Sequence, residues 1–166
     1  MPVEVKVKMN VDNMTDFMFY HIYSGSPGRV AVGLGALNVG FAVAFFMRKD
    51  YPMMGLFLVF AALILGAFPL YIRRRVAKQM EKSDDLVLEV CYKFDEEGIE
   101  TITSYDSGKA EWDVFQKAVL TRKNLIIYDG EKRAVILPVD QIGEKKEEIL
   151  ALIRKFMPPS AVKIRT

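Results

Sequence analysis

The sequence predicts an α+β membrane protein: a two-helix transmembrane hairpin, then a cytoplasmic antiparallel β-sheet domain capped by a C-terminal amphipathic helix. Three observations lead there. Two runs, VAVGLGALNVGFAVAFFM (Val30–Met47) and MMGLFLVFAALILGAFPLYI (Met53–Ile72), carry no charged residue, and at about 1.5 Å per residue each is long enough for the roughly 30 Å hydrocarbon core of a bilayer. Beyond them the chain changes to short segments that alternate apolar and polar side chains, the period of half-buried strands. Finally, Ile142, Ile149, Leu150, Ile153, Phe156 and Met157 fall at helical spacing, with Glu144, Lys145, Lys146, Glu147 and Glu148 on the other side, as in a helix with one buried face.

The first element is PVEVKVKM, in which Val3, Val5, Val7 and Met9 alternate with Glu4, Lys6 and Lys8. It reads as a half-buried strand that pairs with a sheet elsewhere in the chain. DNMTDFMFYHIYS follows as a helix with Asp12 or Asn13 as its cap and Met14, Phe17, Met18 and Ile22 near one face. Phe19, Tyr20 and Tyr23 widen that face, and aromatic residues just outside an apolar span suit the headgroup region, so the expectation is an interfacial helix on the cytoplasmic surface. SGSPG (Ser24–Gly28) then breaks the chain. Residues 1–28 are thus read as an N-terminal strand and interfacial helix, and residues 29–72 as the hairpin, with spans at 30–47 and 53–72.

Neither run shows the polar face that a buried helix of a soluble protein presents every 3.6 residues. A signal peptide is disfavoured because the first run follows a segment rich in Asp and aromatics, not a short basic one. Only RKDYP (Arg48–Pro52) joins the runs, so they return as an antiparallel pair with both chain ends on one side. Arg73, Arg74, Arg75, Lys78 and Lys82 follow the second run, against Arg48 and Lys49 beside Asp50 in the loop. This bias places both termini in the cytoplasm of a multi-pass protein of the cell membrane. Residues 73–83 form a basic juxtamembrane linker, whose cations are read either as contacts to anionic lipid headgroups or as a topology signal alone.

Residues 84–166 have the composition of a soluble α+β domain. LVLEVCYKF alternates Leu86, Leu88, Val90, Tyr92 and Phe94; DEEG (Asp95–Gly98) supplies a turn; IETITSY, KAEWDVF, KAVLTRKNLIIY and EKRAVILP continue the sheet, the last two joined at Asp129–Gly130. About five strands in one sheet are expected, KAVLTRKNLIIY holding one or two, under a C-terminal helix that Pro158 and Pro159 end.

The order of these features resembles the YcxB-like bacterial membrane proteins. The residues that carry the resemblance are FDEEGIETIT, the block SGKAEWDVFQKAVLTRKNLIIY with Trp112 at its turn, and AVILP before DQIGEKKEEILALI. It implies a pleckstrin-homology-like (PH-like) C-terminal domain and a membrane location, and brings no catalytic residue with it. Trp112, the single Trp, is then expected to be buried and to brace its turn.

Candidate chemistry is sparse. The run GLGALNVG lacks the third glycine of a dinucleotide loop, has no strand before it and lies inside an apolar span. Ala36, Gly40 and Ala44, and Ala62 and Gly66, fall four apart, so small residues line a face of each helix and suit packing within the hairpin, or else a homodimer. Asn38 is expected to bond across to a neighbouring helix. A single histidine, His21, excludes a His-rich zinc site, and DEEG supplies too few spaced oxygens for a calcium loop. Cys91, the one cysteine, permits no internal disulfide and reads as a small strand residue. Lys and Arg number 23 against 21 Asp and Glu, and the excess sits beside the second run, which argues against a nucleic-acid surface. The expectation is a non-enzymatic protein with no catalytic residue, metal or cofactor, whose sheet domain is an interaction or lipid-facing module. The alternative is an accessory or regulatory subunit of a membrane transporter or membrane enzyme.

Overall fold

The computed structural model describes residues 2–82, 89–130 and 133–164. Its elements are β1 (Val3–Lys8), α1 (Val11–Ser24), α2 (Ser26–Met47), α3 (Tyr51–Ala62), a π-helical turn (Leu63–Ala67) and α4 (Phe68–Lys82). Then follow β2 (Glu89–Phe94), β3 (Gly98–Ile102), β4 (Ser107–Glu111), a 3-10 turn (Trp112–Val114), β5 (Lys117–Leu120), β6 (Asn124–Asp129) and β7 (Arg133–Pro138). The chain finishes with α5 (Val139–Ile142), a 3-10 turn (Gly143–Lys145), α6 (Lys146–Phe156) and β8 (Val162–Lys163). Two compact units result, one of Met1–Phe17 with Met80–Thr166, the other of Met18–Gln79. The division falls inside α1, after Phe17.

In the helical unit, α2 ends at a short turn in which Lys49 takes a left-handed φ of 59°. The Asp50 side chain then accepts a hydrogen bond from the Met53 amide at 3.3 Å, and Pro52 occupies the first turn of α3, where its missing N–H leaves no carbonyl unpaired. From Tyr51 to Lys82 the helix runs 32 residues without a break, so the basic segment is helical through Lys82. Ser83 lies outside the described residues. The π-helical turn ends two residues before Pro69, whose ring crowds the carbonyl one turn back; widening the helix there, with the Phe68 amide bonded to the Leu63 carbonyl, relieves that crowding.

Both helices are long and apolar enough to cross a bilayer, with mean hydropathies of 2.1 and 2.4 over their most apolar windows. Only 11% and 6% of those windows is buried, whereas the core helix of a soluble protein would be mostly covered. The two antiparallel helices meet through aromatic rings: Phe57 lies 5.1 Å from Phe41 and 5.4 Å from Phe45, nearly parallel to the latter.

The sheet unit differs from the expected single sheet of about five strands. It holds two four-stranded sheets, ordered β1-β2-β3-β4 and β7-β6-β5-β8. All pairs are antiparallel except β5 with β8. Two local causes separate prediction from structure. KAVLTRKNLIIY folds as β5 and β6 because Thr121 closes a turn, its amide donating to the Asn124 carbonyl at 2.8 Å; and the Trp112–Val114 turn separates β4 from β5. The predicted start of β2 at Leu86 and Leu88 lies outside the described residues.

Period-two alternation does set the inner face. Val3, Val5 and Val7 of β1 are buried and their intervening charged neighbours exposed, with Val3 opposite Phe94 and Val5 opposite Tyr92. They join Phe94, Ile99, Leu125, Ile127 and Leu137 in one core. The C-terminal helix covers that core with Ile149, Leu150 and Ile153. It does not start near Asp140 as one helix: Gly143, at φ +47°, ends α5 in a conformation that side-chain-bearing residues rarely adopt.

Candidate functional site

Among the described residues no group of three or more His, Cys, Asp and Glu is placed to hold a metal ion. Cys91 sits half-buried on β2 with its thiol donating to Glu4 Oε1 at 3.1 Å. Burial first, and that hydrogen bond second, push the thiol pKa up, which lowers the thiolate fraction and with it nucleophilicity. His21 is exposed in the last turn of α1.

The best-organised feature of the sheet unit is the β2–β3 turn. Asp95 Oδ1 accepts from the amides of Glu97 and Gly98, each at 2.8 Å, closing the turn. Its other oxygen takes Lys109 Nζ from β4 at 2.9 Å, and Lys109 also reaches Glu97 at 2.6 Å. Lys109 foremost, then the two amides, hold the Asp95 carboxyl below its ordinary range, while Glu97 and Asp95 push the Lys109 ammonium up. The Asp95 carbonyl accepts the indole N–H of Trp112 at 2.9 Å. Trp112 is buried, stacked on Phe156 of α6 with ring centroids 5.8 Å apart and set edge-on to Phe115. Trp112 thus meets the turn through a hydrogen bond at one end of the ring system and α6 through a contact across its face.

Residues of β2–β4, the β3–β4 loop, β6 and β7 line a cleft of about 450 Å³. Tyr92, Ile99 and Phe115 form its apolar floor; Thr101 and Gly108 face each other across β3 and β4; Asp129, Arg133 and Val135 supply the opposite wall. The cleft opens because Gly108 has no side chain, and a Cβ placed there would meet nothing within 4 Å. Partial burial raises the Tyr92 phenol to about 12, so the hydroxyl is a neutral hydrogen-bonding group throughout the physiological range. At the cleft mouth the β3–β4 loop is tied by Thr103, whose hydroxyl oxygen accepts from the amides of Tyr105 and Asp106, and Tyr105 stands 82% exposed at its tip.

Sheet edges are treated unequally. The outer edge of β1 is covered: Gln141 uses its side-chain amide like a strand, accepting from the Lys8 amide at 2.7 Å and donating to the Lys8 carbonyl at 2.8 Å. Lys145 donates to the Glu4 carbonyl at 2.6 Å. β4, at the other end of the same sheet, has no strand beyond it among the described residues, and four of its five residues are exposed.

A polar junction fastens the first half of α1 to the sheets. Asn124, fully buried at the start of β6, donates to the Asn13 carbonyl and to Asp16 Oδ2, each at 2.9 Å. Thr121 bonds the same Asp16 oxygen. Asn10, and neither Asp12 nor Asn13, caps α1, accepting from the Asn13 amide at 2.8 Å.

Other predicted positions are distributed as follows. Arg73, Arg74, Arg75, Lys78 and Lys82 all lie exposed on α4, while Ile72, Val76 and Met80 are buried on the same helix. Ala36, Gly40, Ala44, Ala62 and Gly66 are exposed; a Cβ at Gly40 or Gly66 would meet nothing. The packed small positions are instead Gly35, which lies against the Leu65 side chain, with Ala42 and Ala61. Asn38 donates to the Leu34 carbonyl of its own helix at 2.8 Å, not across to a neighbour. Phe19, Tyr23, Val32, Leu65 and Pro69 help line an apolar cavity of about 330 Å³ in the helical unit.

The family model described as YcxB-like protein matches residues 94–157, from the end of β2 through α6. The resemblance read from the sequence holds over that stretch, which contains the Asp95 turn, Trp112, both faces of the cleft apart from Tyr92, and Gln141. No curated protein and no solved structure matches the chain.

Proposed function

We propose that the chain is a multi-pass membrane protein whose PH-like sheet domain, on the cytoplasmic side, is a non-catalytic interaction module. The observation that carries this is the pairing of β1 with β2, Val3 opposite Phe94. Two strands of one sheet lie on one side of any membrane, so the apolar segment between them crosses an even number of times; two helices of spanning length meet that condition. Seven antiparallel strands in two sheets followed by a C-terminal helix support the PH-like reading, and the exposed row Arg73, Arg74, Arg75, Lys78 and Lys82 supports contact with anionic headgroups. Carbonate washing of membranes tests the anchoring: retention in the pellet is expected, and release would end this reading. Protease added to intact cells is expected to leave the sheet domain whole.

The accessory-subunit reading is favoured by one observation, the outward exposure of Ala36, Gly40, Ala44, Ala62 and Gly66. Small residues on a free helix surface admit close approach of another transmembrane helix, from a larger partner or a second copy. Extraction in mild detergent followed by mass measurement separates these: a stable larger complex supports a partner, twice the chain mass a homodimer, and the chain mass alone rejects both.

A further inference from the structure

We infer that the β4 edge and the cleft beside it form a docking site for an extended peptide segment of a partner protein, which adds to the first sheet as a fifth strand; this rests on the interaction-module reading above. An edge strand offers a row of N–H and C=O groups whose natural complement is another backbone, and folded proteins cover such edges. Here the opposite edge, β1, is covered by Gln141 and Lys145, whereas β4 has no strand beyond it among the described residues. On the inner face β4 presents only Gly108 and Ala110, paired with Thr101 and Ile99. A strand laid along β4 would therefore set alternate side chains beside Gly108 and Ala110, on the β4 side of the cleft. The partner's side chains beside Gly108 and Ala110 are accordingly apolar, while longer ones reach Thr101, Asp106 and Lys109.

Charge discriminates among occupants. Lys109 and Arg133 at the rim are balanced by Asp106 and Asp129, and Lys109 is engaged by Asp95 and Glu97, so no net cationic site faces a phosphate or headgroup. A second copy is disfavoured because antiparallel pairing of two β4 strands in full overlap, Ser107 against Glu111, sets Lys109 against Lys109, and directly opposed like charges destabilise a ladder.

The test uses the full chain in phosphatidylcholine nanodiscs and a fluorescent peptide copying residues 98–104, GIETITS, the natural neighbour of β4. Saturable binding is expected, with amide exchange at residues 107–111 slowed about tenfold or more. N-methylating alternate residues of the peptide is expected to abolish binding, as is Gly108→Trp, which fills the cleft from a position with room for a side chain. If the N-methylated peptide binds equally, or Gly108→Trp binds as the parent does, the edge assignment is wrong. Loss of peptide binding on adding phosphatidylglycerol to the discs would give the cleft to headgroups and also overturn it. Either failure in a chain that resists carbonate release sinks the edge assignment alone, whereas release sinks the anchored-module reading.

Discussion

The indole nitrogen of Trp112 lies 2.9 Å from the carbonyl oxygen of Asp95, so the turn between β2 and β3 is tied to the turn that separates the two sheets. Trp112→Phe keeps most of the stacking on Phe156 and deletes that bond. A loss of about 1 kcal/mol is expected, against about 3–5 kcal/mol for Trp112→Ala, which empties a buried site. Chemical unfolding of the full chain in micelles, followed by far-ultraviolet circular dichroism, measures both.

Asp95 sets the acid limit of the same turn. Its carboxyl is held below the ordinary value of about 3.9, so the folded state binds fewer protons than the unfolded one. Its contribution is complete above that ordinary value and is lost as pH falls through the folded one. Melting temperature is expected to drop on acidification below about pH 4, and Asp95→Asn to flatten that limb. An unchanged limb in the variant would show that Asp95 is not responsible.

Asn124 spans from β6 to α1 through two hydrogen bonds, one of them to a carboxylate. Asn124→Ala is expected to cost about 2–3 kcal/mol and to accelerate amide exchange selectively at Met14–Phe17. Uniform acceleration across the sheets would instead mark Asn124 as an ordinary core residue.

Gly98 and Gly108 occupy the same ladder with opposite consequences. A Cβ at Gly98 runs into the backbone carbonyl of Ala110, whereas one at Gly108 meets nothing. Gly98→Ala should destabilise by about 1–3 kcal/mol through forced backbone displacement, and Gly108→Ala should be close to neutral; thermal melts of the two variants make the comparison.

What the sequence disclosed follows from the range of the interactions concerned. The apolar runs and the alternation of Val3, Val5 and Val7 are local patterns, and burial respects them. The stripe of Ala36, Gly40 and Ala44 is local too, but spacing along a helix leaves its rotation about its own axis undetermined. Packing chose Gly35 and Ala42, seven apart, leaving the fourfold spacing on the outside. Gln141 on Lys8 joins residues 133 positions apart, and a lone glutamine in an amphipathic segment carries no sign of it. Asp95 was legible as a turn residue. Its attachment to Lys109 and Trp112 required the register of β3 and β4.

The pairing of Val3 with Phe94 also sets an order of events during synthesis. β1 leaves the ribosome first, yet its partner strand is made only after both apolar helices, so at about 5–20 residues per second the first strand remains without its ladder for several seconds. Over that interval its three valines have no ladder to cover them, and Glu4, Lys6 and Lys8, alternating with them, are what favours solubility of the waiting segment.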